Sequence, residues 1–219
     1  MMRSSPYSRS LIRLMAELQM ALAGISYPLH DALGEVRTLC AVDAAHVNGV
    51  TVAASVTYDT IKKELIEVAY VKEELGPPYL PGFLAFREAA PMAEAVRRLT
   101  TSWDLLLVDG HGKAHPRLCG LATLLGFILG RPSVGVAKSL LVGEVYVTKS
   151  GPAEIRYCGE VVGFAVGHSG RWRFYVSQGY GVSLGDVRRV VEMLGTEYPV
   201  ALWHAHSEAR RLTRKFFEE

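Results

Sequence analysis

The chain has 219 residues, 49% of them hydrophobic, which is enough for a real core and argues against disorder. A formal net charge of +2 neither demands nor excludes a nucleic-acid partner, because a local basic groove matters more than the sum. Three scattered cysteines (Cys40, Cys119, Cys158) make neither a disulfide framework nor a zinc motif, and no apolar run reaches the ~18 residues of a membrane span.

Residues 1–8 are polar and expected to fray. From Ser10 to Ala23, apolar residues recur at helical spacing (Leu11, Leu14, Met15, Leu18, Ala21, Leu22), which predicts an amphipathic helix packed on a sheet. Thr38 to Asp43 is an apolar run that ends on a carboxylate. β-prone residues continue to Tyr58, interrupted at Asn48-Gly49, the strongest short hairpin signal. Glu64 to Val71 fits another strand, so the chain opens with three antiparallel strands. Pro77-Pro78-Tyr79-Leu80-Pro81-Gly82 then makes a stiff, exposed turn. A helical turn is expected near Phe83, carrying Glu88, and Pro91 is expected to start a second helix through Leu99.

The next segment, Asp104 to Leu141, is the most organised part of the chain. Leu105-Leu106-Leu107-Val108 reads as a buried strand ending on Asp109. Pro116 suits the first position of a helix over Leu118 to Leu129, which Gly130-Arg131-Pro132 stops. Ser133 to Ala137 is a second buried strand with Lys138 at its end, and a right-handed crossover is the default between the two. From Gly110 to Gly143 there are four Lys or Arg and no Asp or Glu, so one acid borders a cationic, glycine-rich stretch. That suits a metal site beside a polyanion. Tyr146 to Ser177 carries short antiparallel strands with glycine turns. Ser183 caps a helix to Leu194 with Asp186 in the capping-box place, and a last helix runs from about Ala201 to Phe217. There is no internal repeat or long linker, so residues 1–219 are expected to form one domain.

Three strands, helix, strand, helix, strand is the order of the ribonuclease H-like fold: a mixed central sheet, three antiparallel strands then parallel strands, flanked by helices. In that fold the first and fourth strands are neighbours, so Asp43 and Asp109 would face one point. Six blocks in order also resemble the endonuclease V family, over roughly residues 10 to 215. They are Ala41-Val-Asp-Ala-Ala, Pro78-Tyr-Leu-Pro-Gly-Phe-Leu-Ala-Phe-Arg-Glu88, Val108-Asp-Gly-His-Gly-Lys-Ala-His-Pro-Arg117, Gly135-Val-Ala-Lys-Ser139, Tyr175 to Leu184, and Pro199 with Ala205-His206. The chain departs from the usual family residues at His111, Tyr180 and Trp203, none of them a carboxylate.

The resemblance implies a DNA-repair nuclease that recognises deoxyinosine and cuts the second phosphodiester bond 3′ to it, leaving 3′-hydroxyl and 5′-phosphate. It implies Asp43, Glu88 and Asp109 as ligands of Mg²⁺, for which Mn²⁺ could substitute. Lys138 would hold the reacting phosphate, and His206 would position water or move a proton. His115 is expected to be structural or to face a phosphate. Tyr79 would replace a turned-out base, and Gly82, Leu84, Gly110 and Gly120 would contact that base. The expected protein is a soluble, cytoplasmic monomer whose partner is inosine-containing DNA. Inosine-containing RNA, another ribonuclease H-like nuclease activity, and a binding protein without catalysis are the alternatives.

Overall fold

In the computed structural model, Asn48 and Gly49 both adopt left-handed backbone, at φ 46° and 79°. They fold β1 (Thr38–Val47) back onto β2 (Val50–Asp59), as a two-residue hairpin requires. The structure describes residues 7–74, 76, 78–149, 151–168 and 170–218. Most of the expected frayed start, and Pro77 of the expected turn, lie outside the described residues. Of that start, Ser8 caps the first helix through its hydroxyl, and the Tyr7 hydroxyl donates to the Pro78 carbonyl at 2.6 Å.

The sheet has nine strands among the described residues, in the order β3-β2-β1-β4-β5-β9-β8-β7-β6. β3 (Glu64–Glu74), β2 and β1 are antiparallel. β4 (Leu105–Asp109) then pairs parallel with β1, and β5 (Ser133–Ala137) parallel with β4. The remaining strands, β6 (Glu144–Tyr146), β7 (Ala153–Tyr157), β8 (Glu160–His168) and β9 (Arg171–Gln178), extend the sheet antiparallel from β5. This is the ribonuclease H-like fold.

The central strands are buried on both faces, so they read as continuous apolar runs rather than alternating ones. Residue parity decides which layer each side chain joins. Leu39, Ala41, Leu105 and Leu107 pack towards α4 (Leu184–Leu194) and α5 (Val200–Glu218). Cys40, Val42, Leu106 and Val108 pack towards α2 (Ala85–Arg97) and α3 (Leu121–Leu129).

Three helices differ from the sequence-based expectation. α1 (Arg9–Ser26) does not pack on the sheet through its leucines: Leu11, Leu14 and Leu18 are exposed, and the buried face is Met15, Gln19 and Ser26, set against α3. Hydrogen bonds of the Gln19 amide replace the missing apolar contact. Pro91 does not start a helix; it lies buried inside α2, which is continuous from Ala85 to Arg97. Its missing N–H frees the Arg87 carbonyl. Gly76 lies beside that oxygen, where an added Cβ would come within 3.1 Å. Pro116 does not start α3 either. Leu118 takes a left-handed φ of 53°, and the helix begins only at Leu121 with Gly120 as its N-cap.

The capping box of α4 forms as expected, with Ser183 and Asp186 bonding reciprocally at 2.9 Å. Fully buried Asp186 also accepts from the amides of Ala32 at 3.1 Å and Leu33 at 3.3 Å, tying the α1–β1 connector to α4. Asp186→Ala strands those donors and should lower stability by roughly 2–4 kcal/mol. A urea titration checks this; a loss below about 0.5 kcal/mol would mean that water replaces the carboxylate.

Candidate active site

β1 and β4 run parallel in a register that pairs Val42 with Val108. The next residues, Asp43 within β1 and Asp109 at the end of β4, therefore lie side by side on the same face. Both point to the α4–α5 side, and α5 supplies the hydrogen-bond partner of the first. His206 Nδ1 lies 2.6 Å from Asp43 Oδ2, while the Ala44 amide donates to Oδ1 at 2.7 Å. Asp109 Oδ2 accepts from Lys138 Nζ at 3.1 Å and from the Tyr198 hydroxyl at 3.2 Å. Lys138 follows β5 and also sits 5.0 Å from the centre of the Tyr198 ring.

The charges in this cluster are strained. Burial, and then the neighbouring Asp109 carboxylate, push the Asp43 carboxyl up to about 6, against the pull of the His206 hydrogen bond. Burial and the same Asp109 raise the Tyr198 phenol well above its ordinary range, so it remains a proton donor. Ligand atoms of Asp43, Asp109 and His206 all lie within 4.8 Å of one another. Two crowded, buried carboxylates with one raised pKa form a donor set that a divalent cation fits, since an ion would offset both the burial and the repulsion that raise Asp43.

Glu88 is not in that triad. It projects from the first turn of α2, on the other side of the sheet, and its Oε1 lies 2.6 Å from His46 Nε2. Sequence reasoning passed over both His46 and Tyr198. His46 ends a run of strand residues and Tyr198 precedes a helix; neither carries a motif.

A cavity of about 170 Å³ lies next to the acid pair. All five residues expected to bind the substrate, Tyr79 as a wedge and Gly82, Leu84, Gly110 and Gly120 at the base, line it. Gly110 follows Asp109, and Ser139, also in the wall, follows Lys138, so cavity and acid cluster share two strand ends. Tyr79 stands at the rim, 56% exposed. Gly120 has a reason beyond base contact: a Cβ there would lie 2.2 Å from the His111 carbonyl oxygen, so the loop after β4 could not close on itself.

The opposite wall is held by side chains gathered on one carbonyl, one of them, His115, also lining the cavity. Gly82, at φ 79°, presents its carbonyl to three side chains. His115 Nε2 lies 3.1 Å from it, Gln19 Nε2 3.3 Å, and Arg117 donates an Nη2–H to it. Arg117 also lies over the Phe83 ring and bonds Gln19 Oε1 at 2.6 Å. The Arg117 amide donates to His115 Nδ1 at 3.2 Å, which leaves the ring proton on Nε2 for Gly82. Burial first, then the Arg117 charge, push His115 down to about 4, so it is neutral at physiological pH. Of the two roles expected for His115, the structure shows the structural one. Gln19 was not foreseen, because its partners lie 63 and 100 residues away.

A family model described as Endonuclease V matches residues 26–207, from the end of α1 to just past His206. The endonuclease V of Thermofilum pendens is 40% identical over 194 residues, which cover 86% of this chain and 84% of that protein. The crystal structure of an endonuclease V from Streptomyces avermitilis matches with a TM-score of 0.84 at 29% identity, over 98% of this chain and 96% of the other. An endonuclease V from Ciona intestinalis, solved in complex with a 23mer DNA containing an inosine followed by a ribo-adenosine, shares the fold with a TM-score of 0.82 at 22% identity. It covers 96% of this chain and 100% of the other. With the family model spanning both acids, the cavity walls and His206, this chain belongs to the endonuclease V family.

Proposed function

We propose that the protein is a metal-dependent DNA-repair endonuclease that recognises deoxyinosine and hydrolyses the second phosphodiester bond on its 3′ side. The observation that carries this reading is the pairing of a small cavity with an acid cluster on the same strand ends. At about 170 Å³ the cavity is well below the roughly 300–1,000 Å³ of drug-sized pockets and suits a single base. An offset between base and cut requires this kind of division between a pocket and a separate reacting centre. The Ciona relative crystallised on inosine-containing DNA supports the choice of base.

Asp43, Asp109 and Glu88 would hold Mg²⁺, with Mn²⁺ able to substitute; when bound, the ion polarises the scissile phosphate. Lys138 lies on the Asp109 side, where its ammonium meets a phosphate oxygen. Asp43 anchors His206 through Nδ1, so Nε2 is the nitrogen left to exchange a proton with water or the leaving 3′ oxygen. Water adds to phosphorus, the 3′ oxygen leaves and is protonated, and the 5′-phosphate stays on the downstream strand. Main-chain groups around Gly82, Leu84, Gly110 and Gly120 bond the edge of the extruded hypoxanthine. Tyr79 fills the gap in the stack.

The direct test is cleavage of matched inosine-containing DNA and RNA oligonucleotides with Mg²⁺, with the cut mapped. The expected product ends one nucleotide beyond the inosine, with a 3′-hydroxyl. Asp43→Ala and Asp109→Ala should each lose cutting by at least about 10³-fold, while binding to the lesion survives. Near-normal turnover in either would overturn the site assignment.

Tyr79→Ala should weaken binding to inosine in a duplex about tenfold, or ~1.4 kcal/mol. Single-stranded inosine has no partner strand to replace and should suffer less. Titrations in Ca²⁺ compare the two; equal losses would reduce Tyr79 to a stacking contact.

Asp43→Asn should stabilise the metal-free protein while losing activity. The folded-state pKa of Asp43, about 6, lies above its unfolded value of ~3.9, so ionising the carboxyl costs stability. That cost is full above pH 6 and gone below about 4. The asparagine variant should therefore gain on the order of 1–3 kcal/mol at pH 8 and nothing at pH 4, measured by urea denaturation in EDTA. A gain independent of pH would assign the effect to packing.

A further inference from the structure

Glu88 and the acid pair reach the same end of the sheet from opposite faces. Asp43 and Asp109 point towards α5, whereas Glu88 rises from α2, which packs on the other face. A glutamate at the start of a helix has three side-chain torsions and no strand to fix them, so something else must set its carboxylate. His46 is the group that does so. It has the even-numbered parity of Cys40 and Val42 on β1, so its ring lies on the α2 side. Its Nε2 is 2.6 Å from Glu88 Oε1, and its Nδ1 is 3.0 Å from Thr51 Oγ1. The hairpin turn at Asn48-Gly49 pairs His46 directly with Thr51 across the strands, and Thr51 is buried.

The Glu88 carboxylate meets one ring nitrogen and the Thr51 hydroxyl the other, so the imidazole is held from both sides. The chain Thr51–His46–Glu88 occupies Oε1 and leaves Oε2 without a hydrogen-bond partner among the described residues. We infer that His46, oriented by Thr51, is a positioning residue that aims Glu88 at the cation shared with Asp43 and Asp109. This rests on the proposed metal role of Glu88 and adds to it a residue without which that carboxylate is free to turn. Partners that orient a ligand from behind typically change metal affinity by roughly 10–100-fold when removed.

The test is Mn²⁺ binding by the full chain without DNA, read from the electron paramagnetic resonance of the free ion. His46→Ala should weaken binding roughly 10–100-fold. His46→Gln keeps an N–H for Oε1 and should recover most of that loss. Thr51→Val keeps the shape but loses the hydroxyl and should weaken binding by about threefold or more, since it leaves the ring free to turn. Glu88→Gln should weaken binding as well. Adding His46→Ala to it should cost less than about twofold further, because the two residues act as one unit. Wild-type affinity in His46→Ala beside a weakened Glu88→Gln overturns the role of His46 and leaves the proposed function standing, as do fully additive losses in the double variant. Wild-type affinity in Glu88→Gln removes the metal role of Glu88, and this inference falls with it. Should His46→Ala fail to fold, Thr51→Val decides, and unchanged affinity there overturns the proposal.

Discussion

Two like charges on adjacent rungs of a parallel strand pair are the constraint on which the rest of this structure depends. The β1–β4 register pairs Val42 with Val108 and so brings Asp43 and Asp109 side by side at the end of a buried sheet. Burial first, and then the neighbouring charge, oppose ionisation here, and the raised Asp43 carboxyl records both. The surrounding elements answer it piece by piece. α5 brings His206 to Asp43, the end of β5 brings Lys138 to Asp109, and the approach to α5 brings the Tyr198 hydroxyl. A fold stabilised only for its own sake would place apolar groups here. Catalytic sites commonly trade stability for chemistry in this way.

The glycine-rich loop after β4 solves a second problem, that of placing a base-sized cavity beside the charged cluster without sharing its polarity. The Gly112 amide donates to Ser177 Oγ at 2.9 Å, and the Lys113 amide to the Gln178 carbonyl at 2.6 Å, so the loop crosses the sheet with its backbone bonded. The far wall hangs on one carbonyl, that of Gly82, held by His115, Gln19 and Arg117. Neutral His115 and the guanidinium laid over Phe83 let a charged residue support this wall from behind. Cavity and acid cluster are thereby coupled through Asp109-Gly110 and Lys138-Ser139, where one residue of each pair faces the chemistry and its neighbour lines the cavity.

Much of this was readable in the residues, for local reasons. Apolar runs ending on Asp43 and Asp109 mark buried strands interrupted by a carboxylate, and Asn48-Gly49 and Ser183 with Asp186 carry their turn and cap chemistry in a few adjacent residues. The family blocks extended that reading to the five cavity residues, which the fold gathers from distant parts of the chain. What stayed hidden depends on long-range contacts. The leucines of α1 have helical spacing, yet the helix buries Met15 and Gln19 because carbonyls 63 and 100 residues away accept from the Gln19 amide. Pro91 looks like a helix start but is carried inside α2, where packing on the sheet outweighs one lost hydrogen bond. His46 and Tyr198 stand in ordinary strand and loop sequence and acquire meaning only from Glu88 and Asp109.

The account's central claim is spatial: one base occupies the cavity while a phosphate further along the same strand reaches the acid pair. A crystal structure of this chain with an inosine-containing duplex and Ca²⁺ measures that directly. The account predicts the hypoxanthine ring between Gly82 and Gly110, the Tyr79 ring in the vacated stack, and the phosphate 3′ of the following nucleotide over Asp43 and Asp109. An inosine still stacked in the duplex, or a base in the cavity with some other phosphate at the carboxylates, would contradict it.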